Sequence, residues 1–267
     1  MRFAVCLRFC VDVAQVTVDE QSRQPRLDGV PWRVSTFDEY AIETIVRLKE
    51  AHGGHVTAVA LVDREPPREL VLKVLAMGVD EMRMYLDETA AESDALGTAS
   101  VLAEALRHAG GFDLVACGEG SIDRYEQQVG PRIAESLGLA CVSYATRAEL
   151  DPGGRALTAD RLLDDRVETV RAVLPAVLTV GQEAPTPRLP SVLQVLGAGR
   201  KPARIEPVSV LGGRAAAGAG ALSSSQVLSL RAPAGTRKRV MITADTPEAA
   251  ASELARVLMA DGAARCP

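Results

Sequence analysis

Over residues 1–138, short apolar runs alternate with segments of helical periodicity, and glycine closes most of the joints. Residues 2–11 are rich in Val, Phe, Leu and Cys and predict a buried first strand. Residues 37–51 carry Tyr40, Ile42, Ile45, Val46 and Leu48 at helical spacing. Asp38 and Glu39 fall in the first turn, where carboxylates favour the helix dipole, and Gly53-Gly54 ends the helix. Further strands are predicted over 55–62, 81–86 and 114–117, and further helices over 68–77, 94–108 and 125–137. Residues 15–19 read as a strand piece before the polar stretch 20–26. Strands alternating with helices argue for a parallel sheet covered on both faces. With right-handed crossovers this is an α/β fold, a doubly wound, three-layer αβα sandwich with a mostly parallel sheet.

The second half is less regular. Residues 147–150, 156–163 and 168–173 predict an antiparallel excursion around the turn DPGG at 151–154, and residues 174–180 predict a return to the sheet. After about residue 183 the composition shifts: EAPTPRLP is Pro-rich, and 212–220 is all small residues except Arg214, with little to pack. Residues 240–243 predict a short strand, and 246–259 a helix capped by Thr246 with Pro247 in its first turn. Three parts are therefore expected: an α/β domain over 1–183, a loop and extended arm over 184–239, and a C-terminal strand-helix docking element over 240–267. A well-formed element after a loose arm suggests docking at a distance, on another subunit.

Composition excludes several classes. The chain has 267 residues, 47% hydrophobic, enough for a full core. Its net charge of -5 and 3% aromatic content lack the clustered cations and rings of a nucleic-acid surface. The first apolar stretch is interrupted by Arg8 and Asp12, too short and broken for a signal peptide, and no run spans a membrane. A cytoplasmic location is expected. Cys6 and Cys10 in one strand would stand roughly 13 Å apart, out of disulfide reach. With Cys117, Cys141 and Cys266 they read as buried reduced thiols. His52, His55 and His108 read as solvated residues or helix-end partners, and no metal cluster or G-x-S-x-G nucleophile motif is evident. Asp164-Asp165 beside Arg166 reads as a charged turn.

The strongest local feature is the fourth strand followed by GEGSIDRYEQQVGP at 118–131. In an open α/β sheet, ligands bind outside the carboxyl ends of strands, and a helix N-terminus there offers free N–H groups to phosphate. Gly118 and Gly120 would let backbone approach an anion, and Gln127 and Gln128 could supply amide donors. The same residues also make an ordinary strand-to-helix turn. No G-x-G-x-x-G fingerprint with its acidic ribose binder, and no Walker loop, is present.

Several segments, in order, resemble the electron transfer flavoprotein beta subunit family. The opening strand with Arg8 and Asp12 is similar to V-K-R-V-x-D. Phe37-Asp38-Glu39-Tyr40-Ala41-Ile42-Glu43 with Arg47-Leu48-Lys49-Glu50 is similar to N-P-F-D-E-x-A-(V/I)-E-E-A-x-R-L-K-E. Leu75–Asp80 resembles A-L-A-M-G-A-D, and the 118–131 loop resembles G-x-x-A-I-D-x-D-x-x-Q-x-G. Leu174–Thr179 and Pro187–Ser191 resemble L-P-A-V-V-T and E-P-R-Y-x-x-L-P-N-I. Together these cover roughly residues 1–205.

The resemblance implies a Rossmann-like, adenine-nucleotide-binding fold, and a heterodimer whose alpha subunit holds most of the FAD site. The beta chain would hold AMP or a second FAD. It would pass electrons between a dehydrogenase donor and an acceptor, quinone-linked in some members, without acid–base chemistry of its own. Its cofactor-binding residues would be Cys6, Arg8, Ser35, Leu61, Gly118, Asp123, Gln127, Gln128, Val129 and Gly130. Leu189, Pro190 and Val192 fall where the family recognises its dehydrogenase. The chain departs from the pattern at Ser35, which replaces the family's Asn, and at Val13, where the family carries an aromatic near the flavin. It departs again at Arg124-Tyr125-Glu126 within the loop. Val129-Gly130-Pro131 resembles the electron-bifurcating branch. A non-redox adenine-nucleotide-binding module of the same fold is the alternative.

Overall fold

Residues 2–7 alternate Phe3, Val5 and Leu7 with Ala4 and Cys6, and both sets are buried, so this strand has no solvent face. In the computed structural model, which describes residues 1–233 and 238–262, it forms β1 (Arg2–Leu7) at the heart of a nine-stranded sheet. The other strands are β2 (His55–Val62), β3 (Glu81–Leu86), β4 (Leu114–Gly118), β5 (Ala140–Leu150), β6 (Ala156–Leu162), β7 (Val167–Val173), β8 (Ala176–Val180) and β9 (Ala203–Pro207). Their order is β7-β6-β5-β8-β4-β1-β2-β3-β9. Only β6 runs opposite to the other eight strands. The expected excursion is thus a hairpin added to one edge, and β8 returns between β5 and β4.

Helices cover both faces. Phe3, Val5 and Leu7 pack toward α1 (Thr36–His52), α2 (Arg68–Ala76) and the later α5 (Val192–Ala198). Ala4 and Cys6 pack toward α3 (Ala95–His108) and α4 (Val129–Leu137). Small side chains on that second face bring α3 close to the sheet. The three-layer α/β sandwich with a mostly parallel sheet is the one expected.

The structure differs from expectation at several points. The strand expected over 2–11 breaks at Arg8, and Phe9–Val11 instead pairs with Trp32–Val34 in a separate ribbon. The cause is tertiary: the Arg8 N–H is taken by the Asp38 carboxylate at 2.7 Å, and its carbonyl accepts from Ser35 at 2.9 Å. The helix expected from 125 begins at Val129. Tyr125 and Gln127 have φ of 48° and 57°, and Pro131 is tolerated only in a first turn. The strand expected over 147–150 starts at Ala140.

The segment 212–220 is not loose. It turns back on α3, where Val101, Val208, Ala215 and Ala219 form a buried cluster. An added Cβ at Gly97 would stand 2.1 Å from the Ala219 carbonyl oxygen, so the small residues are what allow the contact. Asp94 secures the joint, accepting N–H groups of Ser224 at 2.8 Å and Ser225 at 2.9 Å. Residues 240–243 form no strand. The C-terminal helix runs Pro247–Ala260 with the expected Thr246 cap, and none of its residues is buried. Cys6, Cys10 and Cys117 are buried thiols as expected, whereas Cys141, near the start of β5, is exposed; Cys266 lies outside the described residues. His108 is exposed at the end of its helix as expected, and its Nδ1 lies 3.2 Å from the Tyr85 hydroxyl.

Candidate functional site

The strand order reverses at β1: the chain builds outward through β2 and β3 on one side of it, then crosses to place β4 on the other side. Crossovers diverge there and leave a crevice beyond the carboxyl ends of β1 and β4. A cleft opens at this place. Its floor is Cys6 and Cys117 on the two adjacent strands. Leu61 at the end of β2 and Thr98 and Leu102 of α3 form one wall, and the 118–129 loop forms the other.

Asp38 ties the floor together. From the first turn of α1 its carboxylate accepts the N–H of Arg8 at 2.7 Å and of Gly118 at 3.1 Å, joining the ends of β1 and β4. Burial pushes this carboxyl up to about 7, against the opposing pull of the two N–H groups. Gly118 is required by this close approach: an added Cβ would meet Asp38 Oδ1 at 2.6 Å and Phe37 Cβ at 2.7 Å.

Arg8 borders the cleft but its guanidinium is engaged. Nε and Nη2 bond Asp123 at 2.9 and 2.7 Å in a forked ion pair. Burial alone would raise the Asp123 carboxyl; the Arg8 bonds outweigh it and hold the group below its usual range. The Cys117 thiol is raised by its hydrogen bond with Cys6 and by burial, so it stays protonated and unreactive at neutral pH.

The loop wall is unusual backbone. Tyr125 turns back to stack against Phe37, with ring centroids 5.3 Å apart, and its hydroxyl donates to Glu119 at 2.8 Å. Gln128 is the N-cap residue of α4, and its Oε1 accepts from Arg132 Nη2 at 2.7 Å, leaving its NH2 as donor. The N–H groups of Gln127, Gln128, Val129 and Gly130 have no acceptor among the described residues. This is the orphan-donor end of a helix.

Of the residues expected at the site, Cys6, Arg8, Leu61, Gly118, Gln127, Gln128 and Val129 border the cleft. Three do not. Asp123 is drawn away by Arg8. Ser35 is fully buried at the N-terminus of α1, its Oγ without a partner among the described residues. Gly130 serves packing: a Cβ there would stand 2.4 Å from Thr179 Cγ2. Sequence reasoning missed Asp38 as a cleft residue, although its place in a helix first turn marked it as unusual. Thr98 and Leu102 carried no local signal. Farther off, Leu189 is 93% exposed, Val192 is exposed and Pro190 is partly exposed. Arg188 anchors this loop to α1 through Glu43 at 2.8 Å and Glu50. Among the described residues no cluster could hold a metal ion, and no helix is long and apolar enough to cross a membrane.

Fold and cleft together define a doubly wound α/β protein with a switch-point crevice edged by free backbone donors. The family model for the electron transfer flavoprotein domain matches residues 27–212. The chain is 33% identical over 198 residues to the electron transfer flavoprotein subunit beta of Clostridium acetobutylicum, covering 74% of this chain and 75% of that one. It is 35% identical over 176 residues to the same subunit of Bacillus subtilis, covering 66% and 67%. For that of Thermoanaerobacterium thermosaccharolyticum the identity is 32% over 202 residues, covering 75% and 76%. The chain belongs to the electron transfer flavoprotein family, as a beta subunit.

Proposed function

We propose that this chain pairs with an electron transfer flavoprotein alpha subunit and passes electrons between a dehydrogenase and an acceptor, and that its own cleft holds an adenine nucleotide. The observation that carries the nucleotide reading is the switch-point cleft bordered by Gln127, Gln128 and Val129, whose N–H groups have no acceptor among the described residues. Those donors, the free amide of Gln128 and the apolar wall of Leu61 and Leu102 fit a ligand with one anionic and one flat apolar end. AMP and the adenylate half of a second FAD share that chemistry.

The flavin, held mainly by the alpha subunit, supplies the one- and two-electron chemistry. This chain contributes shape and electrostatics. Val13, half exposed in a short turn, would offer the flavin bulk without stacking. The exposed Leu189 and Val192 and the partly exposed Pro190, next to the anchor Arg188, suit recognition of a dehydrogenase or a quinone-linked acceptor. The helix 247–260, with Leu254, Leu258 and Met259 exposed, suits docking on the alpha subunit. The acidic net charge and reduced thiols suit a cytoplasmic location without nucleic-acid partners.

The test is Gln127→Ala with Gln128→Ala. Losing two amide donors of about 1 kcal/mol each should weaken adenine-nucleotide binding roughly tenfold or more, while FAD on the alpha subunit stays in place. Unchanged nucleotide content would remove this loop from the site.

A further inference from the structure

The cleft contains one guanidinium that no carboxylate neutralises. Arg8 is engaged by Asp123. Arg124, which also borders the cleft, forms no ion pair among the described residues. It donates instead to two backbone carbonyls, Ala91 at 2.7 Å and Ser93, in and beside the turn Glu88–Glu92. A guanidinium has five N–H donors in a rigid plane. Two are used here, one on each Nη, so Nε and one hydrogen on each Nη remain. The two carbonyls also hold the side chain across the cleft, from the loop wall to the turn before α3. An exposed arginine would lose more rotamer freedom on binding an anion; this one is already fixed.

Three other features set where an anion would sit. The α4 N-terminus lies along the same wall, and its first helical residue, Val129, has no side-chain donor. Glu119 accepts the Tyr125 hydroxyl, and Glu126 is exposed at the rim, where water screens it. Asp38 is buried and already accepts two N–H groups. The un-neutralised positive charge of the cleft is therefore Arg124.

We propose that Arg124 is the phosphate anchor of the cleft: it binds the phosphate of the adenine nucleotide jointly with the free N–H groups at the start of α4, and so makes the site select nucleotides over nucleosides. This rests on the nucleotide reading of the same cleft. It differs from a purely structural strap, in which Arg124 only ties the loop to residues 91 and 93 and both ligand types suffer alike when it is lost.

The experiment uses the full chain freed of bound nucleotide with charcoal, and calorimetric titration with AMP and with adenosine. Wild-type protein should bind AMP more tightly than adenosine. In Arg124→Gln, AMP should weaken by about tenfold to a hundredfold, the worth of a charge-assisted contact, while adenosine binding holds. Arg124→Lys, which keeps the charge without the fork, should recover part of the loss. An unchanged ratio of AMP to adenosine affinity in Arg124→Gln overturns the anchor but leaves the nucleotide site standing, whether both ligands weaken or neither does. Failure of the wild-type chain to bind either ligand overturns both readings.

Discussion

Replacing Asp38 with Asn should alter how stability depends on pH. Asp38 is buried among apolar groups at the ends of β1 and β4, and burial raises its folded-state pKa from 3.8 to about 7. The raised value means that the folded chain keeps a proton the unfolded chain releases. As pH rises from about 4 to about 7, folding must therefore work against that release, and stability is lost. Three pH units at 1.36 kcal/mol each give a loss of roughly 4 kcal/mol, complete once pH exceeds the folded pKa. The amide does not titrate, so the variant lacks this slope. It has a defect of its own: only one of its two polar atoms accepts, so the N–H of Arg8 or Gly118 loses its partner, at about 1–2 kcal/mol. Equilibrium urea unfolding of the two proteins should then show wild type more stable near pH 4 and the variant more stable near pH 8. The carboxylates held below their usual range, such as Asp94 and Glu43, titrate under this window and cancel in the comparison. Parallel stability profiles for the two proteins would refute the buried-carboxyl argument.

Gly130→Ala should lower the urea midpoint by an amount equal to about 1–3 kcal/mol. The new Cβ would stand 2.4 Å from Thr179 Cγ2 and would push α4 off β8. Arg188→Ala should cost about 1–3 kcal/mol at neutral pH, because buried Glu43 would keep only Arg47 as its charge partner. Glu43 is held below its usual pKa by Arg188 and Arg47 against burial, so its share of stability is present above the unfolded value and lost as pH falls through the folded one. The penalty of Arg188→Ala should therefore shrink below about pH 4 in the same unfolding assay.

Much of the sandwich was legible because its strands are buried on both faces. Residues 55–62 are a mostly apolar run and 81–86 alternate charged with apolar side chains before Tyr85 and Leu86, and the folded strands have the same limits. What was not legible depends on contacts distant in sequence. The break at Arg8 requires Asp38, thirty residues on. β9 has an ordinary polar sequence, ARIEP, and becomes a strand only beside β3. The Gly/Ala run at 212–220 has the composition of a linker, yet smallness is also what close packing on α3 needs. Glycines and glutamines in the sequence pointed to the loop that forms one wall of the cleft, whereas Asp123 of that loop pairs with Arg8, just past the end of β1, a contact that no local signal announces. The role of Asp38 as the tie between β1 and β4 emerges only once the crossovers bring both strand ends to α1.

A beta subunit with an adenine nucleotide in its cleft, paired with a flavin-bearing alpha subunit, should yield both ligands on denaturation. The direct measurement is to co-express it with its alpha subunit, purify and denature the pair, and count released FAD and AMP per heterodimer. Two adenylate-bearing molecules are expected: one FAD with one AMP, or two FAD. One FAD alone would contradict a ligand in the cleft, and no FAD in a confirmed pair would contradict electron transfer through flavin.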